Sequence, residues 1–167
     1  MKTLLLVRHA KSSWADAGTP DFERPLSGRG KKDAVEMARR IRDAGTVIDG
    51  FVSSPARRAR KTAAIFLKEF GRDKEELMLA ERLYEARPEH YAPVIESFPD
   101  ALETIAIFAH NPGISDFINS LGLTKPVDMP TCGIYACRAH TDSWSEFIAS
   151  PKTFLFFESP KSDDSAG

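Results

Sequence analysis

The chain has 167 residues, of which 42% are hydrophobic and 28% charged, and its 23 Lys plus Arg nearly balance 24 Asp plus Glu for a formal net charge of −1. That length suits one domain able to bury a core without staples, and the composition excludes a disordered chain. The balanced charge argues against a broad nucleic-acid surface, and no apolar run approaches the ~20 residues needed to cross a bilayer, so neither nucleic acid nor membrane is expected as a partner.

Thr3–Val7 is a short apolar run ending in charged residues, and it reads as a buried strand. It resembles the apolar stretch of a secretory signal only superficially, because it stops at Arg8-His9 and no small-residue cleavage site follows. Residues 11–25 read as loop, broken by Gly18, Pro20 and Pro25. Ser27 is placed to cap a helix over about 28–44, with Ala34, Met37, Ala38 and Ile41 on its apolar face and Gly45 as its stop. Phe51-Val52 lies in a second strand ending at Ser53. Ser54-Pro55 reads as an N-cap with proline at the first helical position. The helix it opens runs to about Phe70, with Ala59, Ala63, Phe66 and Phe70 as its stripe and Gly71 as its stop. Leu77–Leu79 is the third strand, and a helix follows in roughly 88–98. Thr104–Ala109 is a buried strand, after which Asn111-Pro112 repeats the cap-plus-proline signal and opens a helix to about Leu121. Ile134–Ala139 and Thr153–Phe157 are the last two strands, and between them Ser143 and Glu146 match a capping box.

Alternation of strand and helix, then two further strands, predicts an α/β layer fold with a largely parallel sheet. Residues 1–158 read as one domain and 159–167 as a polar tail. Cys132 and Cys137, if on one extended strand, stand ~16 Å apart, beyond disulfide reach, and they lack paired C-x-x-C spacing. A reducing, cytoplasmic location is therefore expected. His9, His90, His110 and His140 show no metal-ligand spacing, and no metal is expected.

Ligands of such sheets bind beyond the C-terminal ends of the strands. The residues there are Arg8-His9-Ala10-Lys11, then Ser53-Ser54-Pro55-Ala56-Arg57-Arg58, then His110-Asn111-Pro112-Gly113. Two of these junctions start a helix, whose free N–H groups favour an anion. Each part taken singly has an ordinary structural explanation. A histidine beside an arginine at a strand end is commonly a surface or hydrogen-bonded residue, and Arg57-Arg58-Ala59-Arg60-Lys61 is commonly a wet helix face. Lys11, Ser12 and Ser13 could donate to a phosphate, but a polar loop after a strand is unremarkable. The functional reading of His9 is a nucleophile, since a neutral imidazole keeps one basic nitrogen while the other is pinned by a carbonyl. Helical phase places Arg57, Lys61 and Lys68 opposite the apolar stripe and cannot choose between Arg58 and Arg60, though Arg58 lies nearer the helix start. His90 and His140 are read as structural or exposed.

Taken together, Leu5-Leu6-Val7-Arg8-His9-Ala10 resembles the signature of the histidine phosphatase, or phosphoglycerate-mutase-like, superfamily. Arg8-His9-Ala10-Lys11-Ser12-Ser13-Trp14, Arg24-Pro25-Leu26 with Gly30, Ser54-Pro55 with Arg58-Ala59 and Thr62, and Ala109-His110-Asn111-Pro112-Gly113 are similar to successive motifs of its short bacterial phosphohistidine phosphatases. The resemblance implies a three-layer α/β/α sandwich and a covalent phosphohistidine at His9, with Arg8, Arg58 and His110 forming the phosphate pocket. It supports Arg58 over Arg60. Lys11, Ser12 and Asn111 are further phosphate-binding candidates. The superfamily's better-known members carry a glutamate acid after the third strand; here the region reads Glu81-Arg82-Leu83-Tyr84-Glu85-Ala86, and Glu85 is the candidate by position only. No cofactor or metal is implied, because arginines, histidine and helix starts supply the positive field.

The partner implied is a phosphohistidine-bearing protein, such as a histidine phosphotransfer domain. A phosphatase or mutase acting on small phosphate esters fits the same residues. A non-catalytic phosphate-binding module fits them less well, since Arg8, His9, Arg58 and His110 are all present.

Overall fold

The computed structural model describes residues 1–160, so the expected tail lies outside the described residues except for Ser159 and Pro160. The strands and helices are β1 (Lys2–Arg8), α1 (Gly28–Asp43), β2 (Gly50–Ser53), α2 (Arg57–Glu69), β3 (Leu77–Leu79), α3 (Tyr91–Glu96), β4 (Thr104–Ala109), α4 (Gly113–Ser120), β5 (Ile134–Ala139) and β6 (Lys152–Glu158). The strands form one six-stranded sheet in the order β3-β2-β4-β1-β5-β6. The first four pair in parallel, while β5 runs antiparallel to β1, and β6 antiparallel to β5.

The reason β1 reads as a continuous apolar run is its place in the sheet. It is paired on both edges, and Leu4, Leu5, Leu6 and Val7 are all fully buried. Because successive side chains point to opposite faces, Leu5 and Val7 pack beneath Ala34, Met37, Ala38 and Ile41 of α1 and Ala63, Phe66 and Leu67 of α2. Leu4 and Leu6 pack beneath Tyr91 and Ile95 of α3, Ile114 and Phe117 of α4, and Trp144. Burying each of these large side chains contributes about 1.5–3 kcal/mol. The result is a three-layer α/β/α sandwich.

Ser27 caps α1 as its sequence predicts, its Oγ accepting from Gly30 N–H at 3.0 Å, and Gly45 leaves the helix at φ 95°. Gly30 is required by contact, because a Cβ there would lie 2.1 Å from the Lys11 carbonyl oxygen. Helix α1 thus rests directly on the backbone of the loop after β1.

Several local expectations are corrected. Helix α2 starts at Arg57, with Ala56 at its N-cap and no side-chain cap, so Pro55 precedes the helix instead of opening it. Helix α4 starts at Gly113 after a cis Asn111–Pro112 bond, and Asn111 does not cap it. The Ser54 oxygen accepts from Ala56 N–H, just ahead of the helix, and also meets His110, while the Asn111 oxygen accepts from the Ser115 hydroxyl. The predicted 88–98 helix is a 3-10 turn over Pro88–His90 followed by α3. Ser143 does not form its capping box, because its hydroxyl meets Asp100 and Ser145. Cys132 precedes β5 at φ 58° instead of sharing that strand with Cys137. Both thiols are free and buried, and burial pushes their pKa values up.

Candidate active site

Three parallel strands end together and deliver the key residues side by side. In register, Arg8 stands opposite Ala109, and Ser53 opposite Phe108. Just past those ends, His9 N–H donates to the Ala109 carbonyl at 3.0 Å, and Ser54 N–H donates to the Phe108 carbonyl at 2.9 Å. His9, Ser54 and His110 therefore leave the sheet as neighbours. Arg58 joins them from the first turn of α2, where it is buried. Thr62, one turn later, donates its hydroxyl to the Arg58 carbonyl at 2.8 Å and accepts from Ala10 N–H at 3.0 Å. That side chain ties the arginine's turn to the histidine's loop.

His9 is oriented by a 2.7 Å contact between its Nδ1 and the Ala10 carbonyl. A carbonyl can only accept, so Nδ1 carries the proton and Nε2 keeps its lone pair. Nε2 lies 3.4 Å from the Nε of Arg58. Burial first, then the nearby positive charges of Arg58, Arg8 and Arg24, lower the His9 pKa to about 4 against the opposing carbonyl bond. His9 is therefore neutral at pH 7.

The His110 ring lies 5.1 Å from that of His9, centre to centre, and its Nε2 is 2.7 Å from Ser54 Oγ. Ser54 Oγ already accepts from Ala56 N–H at 3.2 Å. The Nδ1 of His110 is buried with no partner among the described residues, and so is the Nε of Arg8. Burial, and then the neighbouring His9 and Arg58, lower the His110 pKa to about 3. Arg8 itself donates from Nη1 to the Met129 carbonyl at 2.8 Å. The cluster can present an unprotonated imidazole nitrogen within a positively charged surround that holds an unused donor at Arg8 Nε, which is what in-line transfer of a phosphoryl group calls for.

A second tier closes around Arg58. Asp21 accepts from Arg58 through its main-chain carbonyl at 2.7 Å and through Oδ2 at 3.1 Å. Tyr84 donates its hydroxyl to the same Oδ2 at 2.7 Å, and Arg24 donates to Oδ1 at 3.2 Å. Burial alone would raise the Asp21 pKa, but the bonds from Tyr84 and Arg58 outweigh it and bring it down to about 2. The same bond to Asp21, with burial, pushes Tyr84 up to about 12. The Tyr84 ring stands edge-on to that of His110 at 5.8 Å.

The structure brings His9, Arg8, Arg58 and His110 together, as the strand ends predict. It does not do so for the other candidates. Ser12 Oγ is taken by Arg24, and Lys11 is exposed while its carbonyl receives Ser27 N–H at 2.9 Å. Asn111 donates to Asp128 and to the Met129 carbonyl, and accepts from Ser115, so it fixes the loop that holds Arg8. Glu85 is exposed at φ 55°, beside Tyr84. Arg57 reaches the Glu23 carbonyl and Arg60 the Pro55 carbonyl, both away from His9. Asp21, Tyr84 and the hydroxyl of Ser54 were not anticipated. Tyr84 shared the one usable signal, a place shortly after a strand end, whereas nothing local marks Asp21. Among the described residues, no group of three or more His, Cys, Asp or Glu side chains could hold a metal ion, and no helix is long and apolar enough to cross a membrane.

The sequence profile of the histidine phosphatase superfamily, branch 1, matches residues 4–115. An uncharacterised protein from Mycobacterium tuberculosis is 29% identical over 165 residues, which cover 93% of this chain and 100% of the relative. A protein of Agrobacterium tumefaciens assigned to the phosphohistidine phosphatase SixA superposes with a TM-score of 0.78 at 25% identity, over 95% of this chain and 98% of that one. The protein histidine phosphatase SixA complexed with tungstate shares the fold, with a TM-score of 0.80 at 17% identity over 95% of this chain and 97% of that one.

Proposed function

The chain belongs to the histidine phosphatase superfamily, and from that premise we propose that it removes the phosphoryl group from a phosphohistidine on a partner protein, through a covalent intermediate at His9. One observation carries the reading above all others: His9 Nδ1 is held by the Ala10 carbonyl, leaving an unprotonated Nε2 beside the Arg58 guanidinium.

In the first step His9 Nε2 attacks phosphorus in line. The new N–P bond forms as the bond to the partner's imidazole breaks. That imidazole, protonated on its second nitrogen, leaves as a neutral ring. Arg8, Arg58 and His110 bear the charge on the three equatorial oxygens. In the second step water attacks phosphorus, the bond to His9 breaks, and dihydrogen phosphate departs with both water protons. His9 returns to its neutral form with Nδ1 still protonated. Guanidiniums suit the seat because they stay charged and can hold two oxygens each.

The substrate class follows from the leaving group. An alkyl phosphate expels a strongly basic alkoxide and needs a positioned acid. Asp21 stays ionised down to about pH 2, Tyr84 is pushed up to about 12, and Glu85 is exposed. None of the first two is poised as an acid near neutral pH, whereas phosphohistidine needs little such help. The SixA-assigned neighbour of the same fold supports the same class. Two free buried thiols are in keeping with a reducing, cytoplasmic setting.

A substrate panel tests the proposal, with phosphate release followed after exhaustive chelation. It compares a phosphorylated histidine phosphotransfer protein, free phosphohistidine, sugar phosphates and an aryl phosphate. The phosphoprotein should show much the highest kcat/KM, unaffected by the chelator. Efficient cleavage of a sugar phosphate that Glu85→Gln abolishes would reverse the substrate assignment.

A further inference from the structure

Arg58 has five N–H donors arranged in a rigid planar fork. Asp21 occupies the end of that fork, with its carbonyl on Nη1 and its Oδ2 on Nη2. The side of the fork, where Nε–H and the second Nη2 proton lie parallel, remains free of Asp21. On that side Nε approaches His9 Nε2 at 3.4 Å. A phosphoryl group bound to His9 Nε2 would replace this contact and present its oxygens to the side edge.

We propose that Asp21 is a positioning residue, which grips the end of the Arg58 fork and so keeps its side edge turned toward the phosphoryl group on His9. The inference rests on the phosphoryl-transfer reading above. The grip is itself anchored. Asp21 sits in a 3-10 turn over Asp21–Glu23, and its carboxylate receives Tyr84 and Arg24 in addition to Arg58. Arg24 is held in turn by Ser12 Oγ and the Ser13 carbonyl, and its guanidinium lies 3.1 Å from the centre of the Trp14 ring. The loop after β1 is thereby wired to the arginine through Asp21. Unsupported, a buried arginine at the head of a helix samples several rotamers, and misplacement by about 1 Å costs up to about 100-fold in rate.

Two rival roles make different predictions. As a proton donor, Asp21 would matter more as the leaving group becomes more basic. As a built-in anion competing for the seat, its removal would tighten anion binding. The test uses Asp21→Ala, Arg58→Ala and the double variant on the whole chain. Turnover is measured on two aryl phosphates with good and poor leaving groups and on the phosphoprotein, with orthovanadate affinity and melting temperature alongside. Asp21→Ala should lower kcat on the order of 10–100-fold, by the same factor for each substrate, and should weaken orthovanadate binding. It should add nothing once Arg58 is gone. Asp21→Asn, which keeps the side-chain shape, should show the same pattern at smaller size and serves if the alanine variant melts early. Wild-type rates, tighter orthovanadate binding, a loss that grows with leaving-group basicity, or a loss that persists without Arg58 would each overturn the assignment. Failure to cleave the phosphoprotein while the aryl phosphates and orthovanadate follow this pattern would sink the substrate reading alone.

Discussion

Two buried imidazoles that stay neutral are what the proposed chemistry needs from single residues. Protonated, His9 has no lone pair to offer, and positive neighbours combine with burial to prevent that. An unperturbed histidine titrates near 6.5, whereas His9 and His110 titrate at about 4 and about 3. An NMR titration of the ring resonances should therefore leave both unchanged from pH 8 to about 5.5. The sign of the linked stability follows. Between about 6.5 and 4 the unfolded chain binds these protons more readily than the folded one, so stability falls as pH falls through that window. Either ring titrating near 6.5 would show that the pocket does not hold it neutral. Single residues were legible where a strand ended: Arg8, His9 and His110 follow apolar runs, and Arg58 follows the second strand by five positions. Asp21 was not, because its importance comes from an arginine 37 positions away. Ser54 was misread because a serine before a proline looks the same whether its hydroxyl caps a helix or meets a histidine from another strand end.

At the scale of elements, two glycines hold helices against the loops that carry the site. A Cβ on Gly30 would lie 2.1 Å from the Lys11 carbonyl oxygen, and one on Gly113 would lie 2.2 Å from that of Ala86. Neither neighbour is a flexible side-chain end, so the backbone must shift. Gly30→Ala and Gly113→Ala should each destabilise by about 1–3 kcal/mol, the usual range for overpacking. Gly28→Ala meets nothing within 4 Å and should change stability little. Denaturant melts of the three variants check this, and equal midpoints would show that the contacts are not needed. Helix α1 and the strands were legible because period and capping agreed. The starts of α2 and α4 were not, because the oxygens that a local pattern assigns to caps accept from Ala56 N–H and the Ser115 hydroxyl instead of from the first turn's N–H groups.

For the molecule as a whole, the strand order explains why these residues meet. The chain lays β2 and β3 outward, returns to place β4 between β2 and β1, and then crosses β1 to place β5 beyond it. Strand β1 lies where the order reverses, which is where open α/β sheets bind ligands. The α/β class and the predominance of parallel pairing were legible from alternation alone. The insertion of β4 beside β1 was not, because each apolar run fits any interior place in the sheet. Yet that insertion puts His9 next to His110. The proposed covalent step depends on all of this geometry, so trapping it is the most direct test. Rapid acid-free quenching during turnover of an aryl phosphate should leave an acid-labile phosphoryl group on the protein, mapped to His9, and His9→Ala should lose both label and turnover. Near-normal turnover by His9→Ala, or phosphate mapped to another residue, would contradict the account.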